Sequence, residues 1–123
     1  MLARTTLTLG KFDMEERKDK AMYERIGVIR SMMSEEELLC QLAEECNELA
    51  KAALKLRRVL AGKNPTPVTE EQARENLLEE IADVDLCIEV LGINTPFYGY
   101  LIGNITDEKL ARWMSRLAGD ERC

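Results

Sequence analysis

From residue 34 onward the apolar positions of this chain recur three and four residues apart, the spacing of one face of an α-helix. Between Ser34 and Gly62, positions 38, 42, 45, 49, 52, 56 and 59 read Leu, Leu, Glu, Leu, Ala, Leu, Val. Ser34 with Glu37 forms a capping box that starts this helix, and Arg57, Arg58 and Gly62 supply the cations and the glycine that end it near Ala61. Thr69 with Gln72 opens another helix, predicted from about Glu70 to Leu91 before Gly92, in which positions 73, 77, 80, 84, 87 and 91 read Ala, Leu, Glu, Val, Cys, Leu. Upstream, Asp13 and Glu16 make a further capping box, and Met14, Ala21, Met22, Ile26 and Ile29 give an imperfect stripe for a first helix from Met14 to Arg30. Downstream, Thr95-Pro96 is an N-cap and N1 pair that favours a short or continuous helix over 94–104, weakened by Gly99 and Gly103. Thr106, followed by Asp107 and Glu108, starts or restarts a last helix carrying Leu110, Trp113, Met114 and Leu117. The reading is all-α: a four- to five-helix bundle in one domain over 13–123, behind an N-terminal arm over 1–12.

The chain has 123 residues, of which 46% are apolar, enough for one ordinary core and too few for two typical domains. Its formal charge of -6 opposes long nucleic acid, whose phosphates each need a local cation. A small polyphosphate bound through a metal escapes that objection. Residues 1–12 lack the apolar centre of a signal peptide, and no run approaches a membrane span, so a soluble, cytoplasmic protein is expected. Of four cysteines, Cys40, Cys46 and Cys87 fall within helical patterns and are expected to pack as small apolar core residues. The chain contains no histidine, which removes imidazole acid–base chemistry, Ser-His and Cys-His nucleophiles, the usual zinc sites, and the Glu-x-x-His pairs of a di-iron bundle.

The remaining chemistry points to carboxylates in unexpected places. Glu45 and Glu80 each interrupt an apolar seam, and burying an unpaired carboxylate costs several kcal/mol. Each has an acidic neighbour at i+3, Glu48 and Asp83 respectively, on the same helix face. Two helices joined by a loop of about seven residues pack antiparallel, so four carboxylates are expected to converge. With no imidazole to neutralise them, a divalent cation with all-oxygen ligation, Mg²⁺ or Mn²⁺, is the economical solution.

Glu44-Glu45-Cys46-Asn47-Glu48 followed by Glu80-Ile81-Ala82-Asp83 resembles the E-E-x-x-E and E-x-x-D signature of MazG-like nucleotide pyrophosphohydrolases. That all-α superfamily also includes dimeric dUTPases and phosphoribosyl-ATP pyrophosphatase. The resemblance covers roughly residues 34 to 117. It implies Mg²⁺ held by Glu45, Glu48, Glu80 and Asp83, water attacking the α-phosphorus of a nucleoside triphosphate, and release of monophosphate and pyrophosphate. It also implies a homodimer or homotetramer, in keeping with helices that are apolar on more than one side.

Glu44 sits about 100° around the helix from Glu45; it is read either as the catalytic group that takes a proton from water or as a solvated acid. Lys51 and Lys55, one and two turns beyond Glu48, and Lys109 and Arg112 in the last helix, are the expected phosphate-binding cations. Asp85 is read as a supplementary ligand, a partner for a cation, or an exposed acid. A rival reading from a different class keeps the acidic cluster for metal or for a basic partner, in a helical regulatory module without turnover.

Overall fold

A computed structural model describes residues 19–62, 67–93 and 95–119. Every regular element among them is helical. The first, α1, is helical over 19–32; α2 spans Glu35–Ala61, α3 Glu70–Leu91 and α4 Pro96–Ala118. The arm over 1–12 and the Asp13/Glu16 capping box lie outside the described residues. The chain divides into two units, Met1–Leu91 and Gly92–Cys123.

In the first unit the caps form as the sequence dictates. Ser34 Oγ accepts from the Glu37 N–H at 3.1 Å, and Glu37 Oε2 accepts from the Ser34 N–H at 2.8 Å. Thr69 and Gln72 repeat the exchange at 3.1 and 2.9 Å. Each box satisfies two backbone donors that a helix start would leave bare. Gly62 closes α2 at φ +63, where its N–H bonds to the carbonyls of Arg58 and Val59; a side chain there would be strained.

All seven heptad-spaced positions of α2, and all six of α3, are buried or half-buried. The helices pack seam to seam, and antiparallel: Leu38 meets Val90 at one end, Glu45 meets Glu80 and Asp83 in the middle, and Lys55 meets Gln72 near the other. Beyond the carboxylates the seam continues with Ala52, Leu56 and Ala73, all buried. Helix α1 covers the opposite end, where Ile26 is buried against Leu38 and Val90, with Ile29, Met33 and Leu91 around them.

Arg30 fastens that end. Its Nε donates to the Val90 carbonyl and its Nη2 to the Glu89 carbonyl, both at 2.6 Å. These oxygens belong to the last turn of α3, which has no basic residue of its own. The guanidinium therefore satisfies two orphan carbonyls and opposes the negative end of the helix dipole.

In the second unit α4 runs unbroken through Gly99 and Gly103. Thr95 Oγ1 accepts from the Tyr98 N–H at 3.4 Å and Pro96 occupies the first turn. The expected start or restart at Thr106 is corrected, because the helix passes through it without a break. Its hydroxyl bonds back to the Ile102 carbonyl at 2.8 Å instead of capping a new start. No residue of α4 is buried, and Phe97, Tyr100, Trp113, Met114 and Leu117 are all more than 60% exposed.

Candidate metal centre

The seam register decides which acids meet. Glu45 and Glu80 occupy seam positions and are half-buried, while Asp83, one turn beyond Glu80, is exposed at the rim. One carboxylate oxygen from each of these three residues can be chosen so that all lie within 4.8 Å of one another. Around an octahedral cation at roughly 2.1 Å from its ligands, cis oxygens lie roughly 3 Å apart and trans oxygens roughly 4.2 Å. The span of this donor set is of the order that a hard divalent ion requires.

The electrostatics show the strain of the bare cluster. The Glu80 carboxyl is pushed above its ordinary range, first by loss of hydration and then by repulsion from Asp83, Glu48, Glu45 and Glu79. Cys87, on the α3 seam one turn past Asp83, is the buried cysteine of the three described. Burial raises its thiol above the usual value, and Glu45, Asp83 and Cys46 add to the effect. A thiol raised in this way is a poorer source of thiolate than an ordinary cysteine. Cys40 and Cys46 correct the sequence expectation, since both are exposed. Positions 40 and 46 fall between the seam positions 38, 42, 45 and 49, so helix membership alone did not place them inside.

Glu48 does not join the triad. Its Oε1 accepts from Lys51 Nζ at 2.8 Å, a pair in which both side chains are more than half exposed. That hydrogen bond, then the Glu48 charge and the more distant Glu80, raise the Lys51 ammonium pKa against the opposing effect of burial. Glu44 is exposed and sits apart from the cluster, on an open pocket with Met32, Met33, Glu36, Glu37, Cys40 and Gln41.

Lys51 and Lys55 line a pocket of about 400 Å³ that begins at Glu48 and Glu80. Lys109 and Arg112 lie on α4 in the second unit, exposed, and one turn apart on a common face. Asp85 is exposed and off the seam.

Three polar residues have parts that the spacing did not assign. Gln41, four residues before Glu45, donates from Nε2 to Glu45 Oε1 at 2.5 Å and is half-buried. It fixes the carboxylate's orientation, and its i,i+4 spacing was the available signal. Arg58 lines the same pocket as Lys51 and Lys55; the i, i+4, i+7 progression 51, 55, 58 was legible, but Arg58 also fits an ordinary helix-end cation. Asn76, one turn before Glu80, faces them.

The class these features define is an all-α chain with a carboxylate triad across an antiparallel helix pair. No protein-family model matches the chain, and no curated protein or solved structure matches it. Among the described residues, no helix is long and apolar enough to cross a membrane.

Proposed function

We propose that this chain is a Mg²⁺-dependent nucleoside triphosphate pyrophosphohydrolase of the MazG-like kind, cleaving (d)NTP to (d)NMP and pyrophosphate in cytoplasmic nucleotide housekeeping. The observation that carries the reading is the convergence of Glu45, Glu80 and Asp83 within 4.8 Å, the first two at seam positions where apolar residues would otherwise sit. Those three would hold the ion, and Glu48 would be free to join them if Lys51 turned to a phosphate oxygen. A bound Mg²⁺, or Mn²⁺ in its place, supplies charge neutralisation and polarisation at the attacked phosphorus.

The residues of the chain do the rest. Gln41 holds Glu45 in one orientation through its 2.5 Å hydrogen bond. Lys51 and Lys55 offer their ammonium groups to the phosphates. Glu44 is exposed and available to accept a proton from water. The exposed apolar residues of α4, together with Leu54, Leu78 and Leu86 on the hairpin, favour a homodimer or homotetramer that covers them; light scattering on the purified chain tests this.

The decisive experiment incubates the chain with individual (d)NTPs and Mg²⁺, with and without EDTA, and resolves the products. Monophosphate and pyrophosphate in equal amounts, abolished by chelator, are expected. Diphosphate and orthophosphate would remove the assignment. Metal binding without any turnover would favour the regulatory module instead.

A further inference from the structure

Beyond Glu80, towards the tip of the hairpin, the groove between α2 and α3 changes chemistry. Its first part, about 400 Å³, places Lys51, Lys55 and Arg58 opposite Asn76 and Glu80. It continues into a second pocket of about 230 Å³ that shares Lys55 and Asn76 and reaches Gln72. The groove exists because Ala52 and Ala73, two seam positions along its length, are alanine: both are buried and neither has the side-chain volume to fill the space above them.

Lys51 is paired with Glu48, but among the described residues no acid is paired with Lys55 or Arg58. Lys55 and Asn76 are half-buried, so a cation and an amide there give up part of their hydration without a side-chain partner among the described residues. Gln72 uses its Oε1 on the Thr69 N–H, which leaves its amino group as a donor. Two cations with no acid paired to them among the described residues, beside two amides in a cleft within the size range of small-molecule sites, are complementary to a compact, multiply charged oxyanion. Such a concentration of donors is notable in a chain whose net charge is -6.

We infer that this groove binds the pyrophosphoryl part of a polyphosphate, with Lys55, Arg58 and Asn76 as its donors. The Glu80 end of the groove sets the ligand against the carboxylate centre. The inference rests on the reading of that centre as a phosphate-cleaving site, and it extends it: the leaving pyrophosphate is held by this hairpin, so free pyrophosphate competes with substrate. Arg58, which looks like a helix-end cation in sequence, becomes a ligand-binding residue.

Calorimetric titration of the full chain with inorganic pyrophosphate in Mg²⁺, against orthophosphate, tests it. Pyrophosphate is expected to bind at least about tenfold more tightly than orthophosphate, and Lys55→Gln and Arg58→Ala are each expected to weaken it about tenfold, the equivalent of about 1.4 kcal/mol. Arg57→Ala removes the same charge from an exposed neighbour outside the groove and should leave affinity unchanged. Circular dichroism establishes that each variant is folded, and Arg58→Lys should recover part of the loss. Equal weakening by Arg57→Ala and Arg58→Ala, or no preference for pyrophosphate, overturns the proposal. Pyrophosphate binding through these residues in a chain that cleaves no nucleotide removes the hydrolase and leaves the groove. Nucleotide cleavage with unaltered pyrophosphate affinity in both groove variants does the reverse.

Discussion

At Glu80 burial and like charge act in the same direction. Its pKa is higher in the folded chain than in the unfolded one because hydration is lost and four acids surround it. The folded state therefore holds the proton more firmly, and the associated stability is fully present below the ordinary carboxylate range and lost as pH rises through the raised folded value. Glu80→Gln mimics the protonated form at every pH. Without metal, the variant should be more stable than the parent at pH 7 and indistinguishable from it near pH 3.5, as read by urea unfolding. A stability gap of the same size at both pH values would contradict the assignment. The same substitution removes a proposed metal ligand, so turnover should fall by on the order of 10²-fold or more, measured as pyrophosphate release at saturating Mg²⁺. Stability and activity thus move in opposite directions at one residue, which a merely structural glutamate would not produce.

At the level of elements, α3 depends on a neighbour for its C-terminal charge. Arg30 reaches it across about sixty residues of sequence, and hydrogen bonds from a charged donor are worth about 1.5–3 kcal/mol. Because Arg30 is largely solvent-exposed, the lower end applies: Arg30→Ala should cost about 1–2 kcal/mol in equilibrium unfolding. Arg30→Lys should recover only part of it, since an ammonium cannot reproduce the fork that spans two carbonyls. A loss equal to that of an arbitrary surface substitution would show the clamp to be idle. This contact also marks where sequence reading stops. The seams of α2 and α3 were legible because heptad spacing translates directly into a face, and Glu45 and Glu80 stood out by breaking it. The two capping boxes were legible because their partners lie three residues apart. Arg30 was not, since its acceptors are backbone carbonyls that carry no side-chain signature and are set by how α1 folds back on the hairpin. Glu48 was placed with the other acids by spacing, yet its salt bridge to Lys51 is a competing choice within one helix turn that a count of acids does not resolve.

Across the whole molecule, a divalent cation should act as a folding ligand. A species that binds only the native state adds RT ln(1 + [L]/Kd), about 2.7 kcal/mol at a hundredfold excess over Kd. Thermal melts in Mg²⁺ should therefore lie several degrees above melts in NaCl of equal ionic strength, and the difference should collapse in Glu45→Gln. An equal shift in both proteins would mean that the ion acts only by screening the net charge of -6.

Placing the acids at the centre of the seam, with Leu38 and Val90 on one side and Ala52, Leu56 and Ala73 on the other, has a consequence for how the hairpin breathes. Paired helices ordinarily fray from their ends, where the fewest contacts must break. Here apolar burial and, at one end, Arg30 hold the ends, and like charges face each other in the middle, where opening is expected to begin. In metal-free protein, amide hydrogen exchange is expected to be faster around Glu45 and Glu80 than in the turns flanking them, an inverted protection profile. A saturating cation should restore the ordinary order, slowing the centre most. A cation bound at the proposed centre would then act as a latch on the middle of the hairpin.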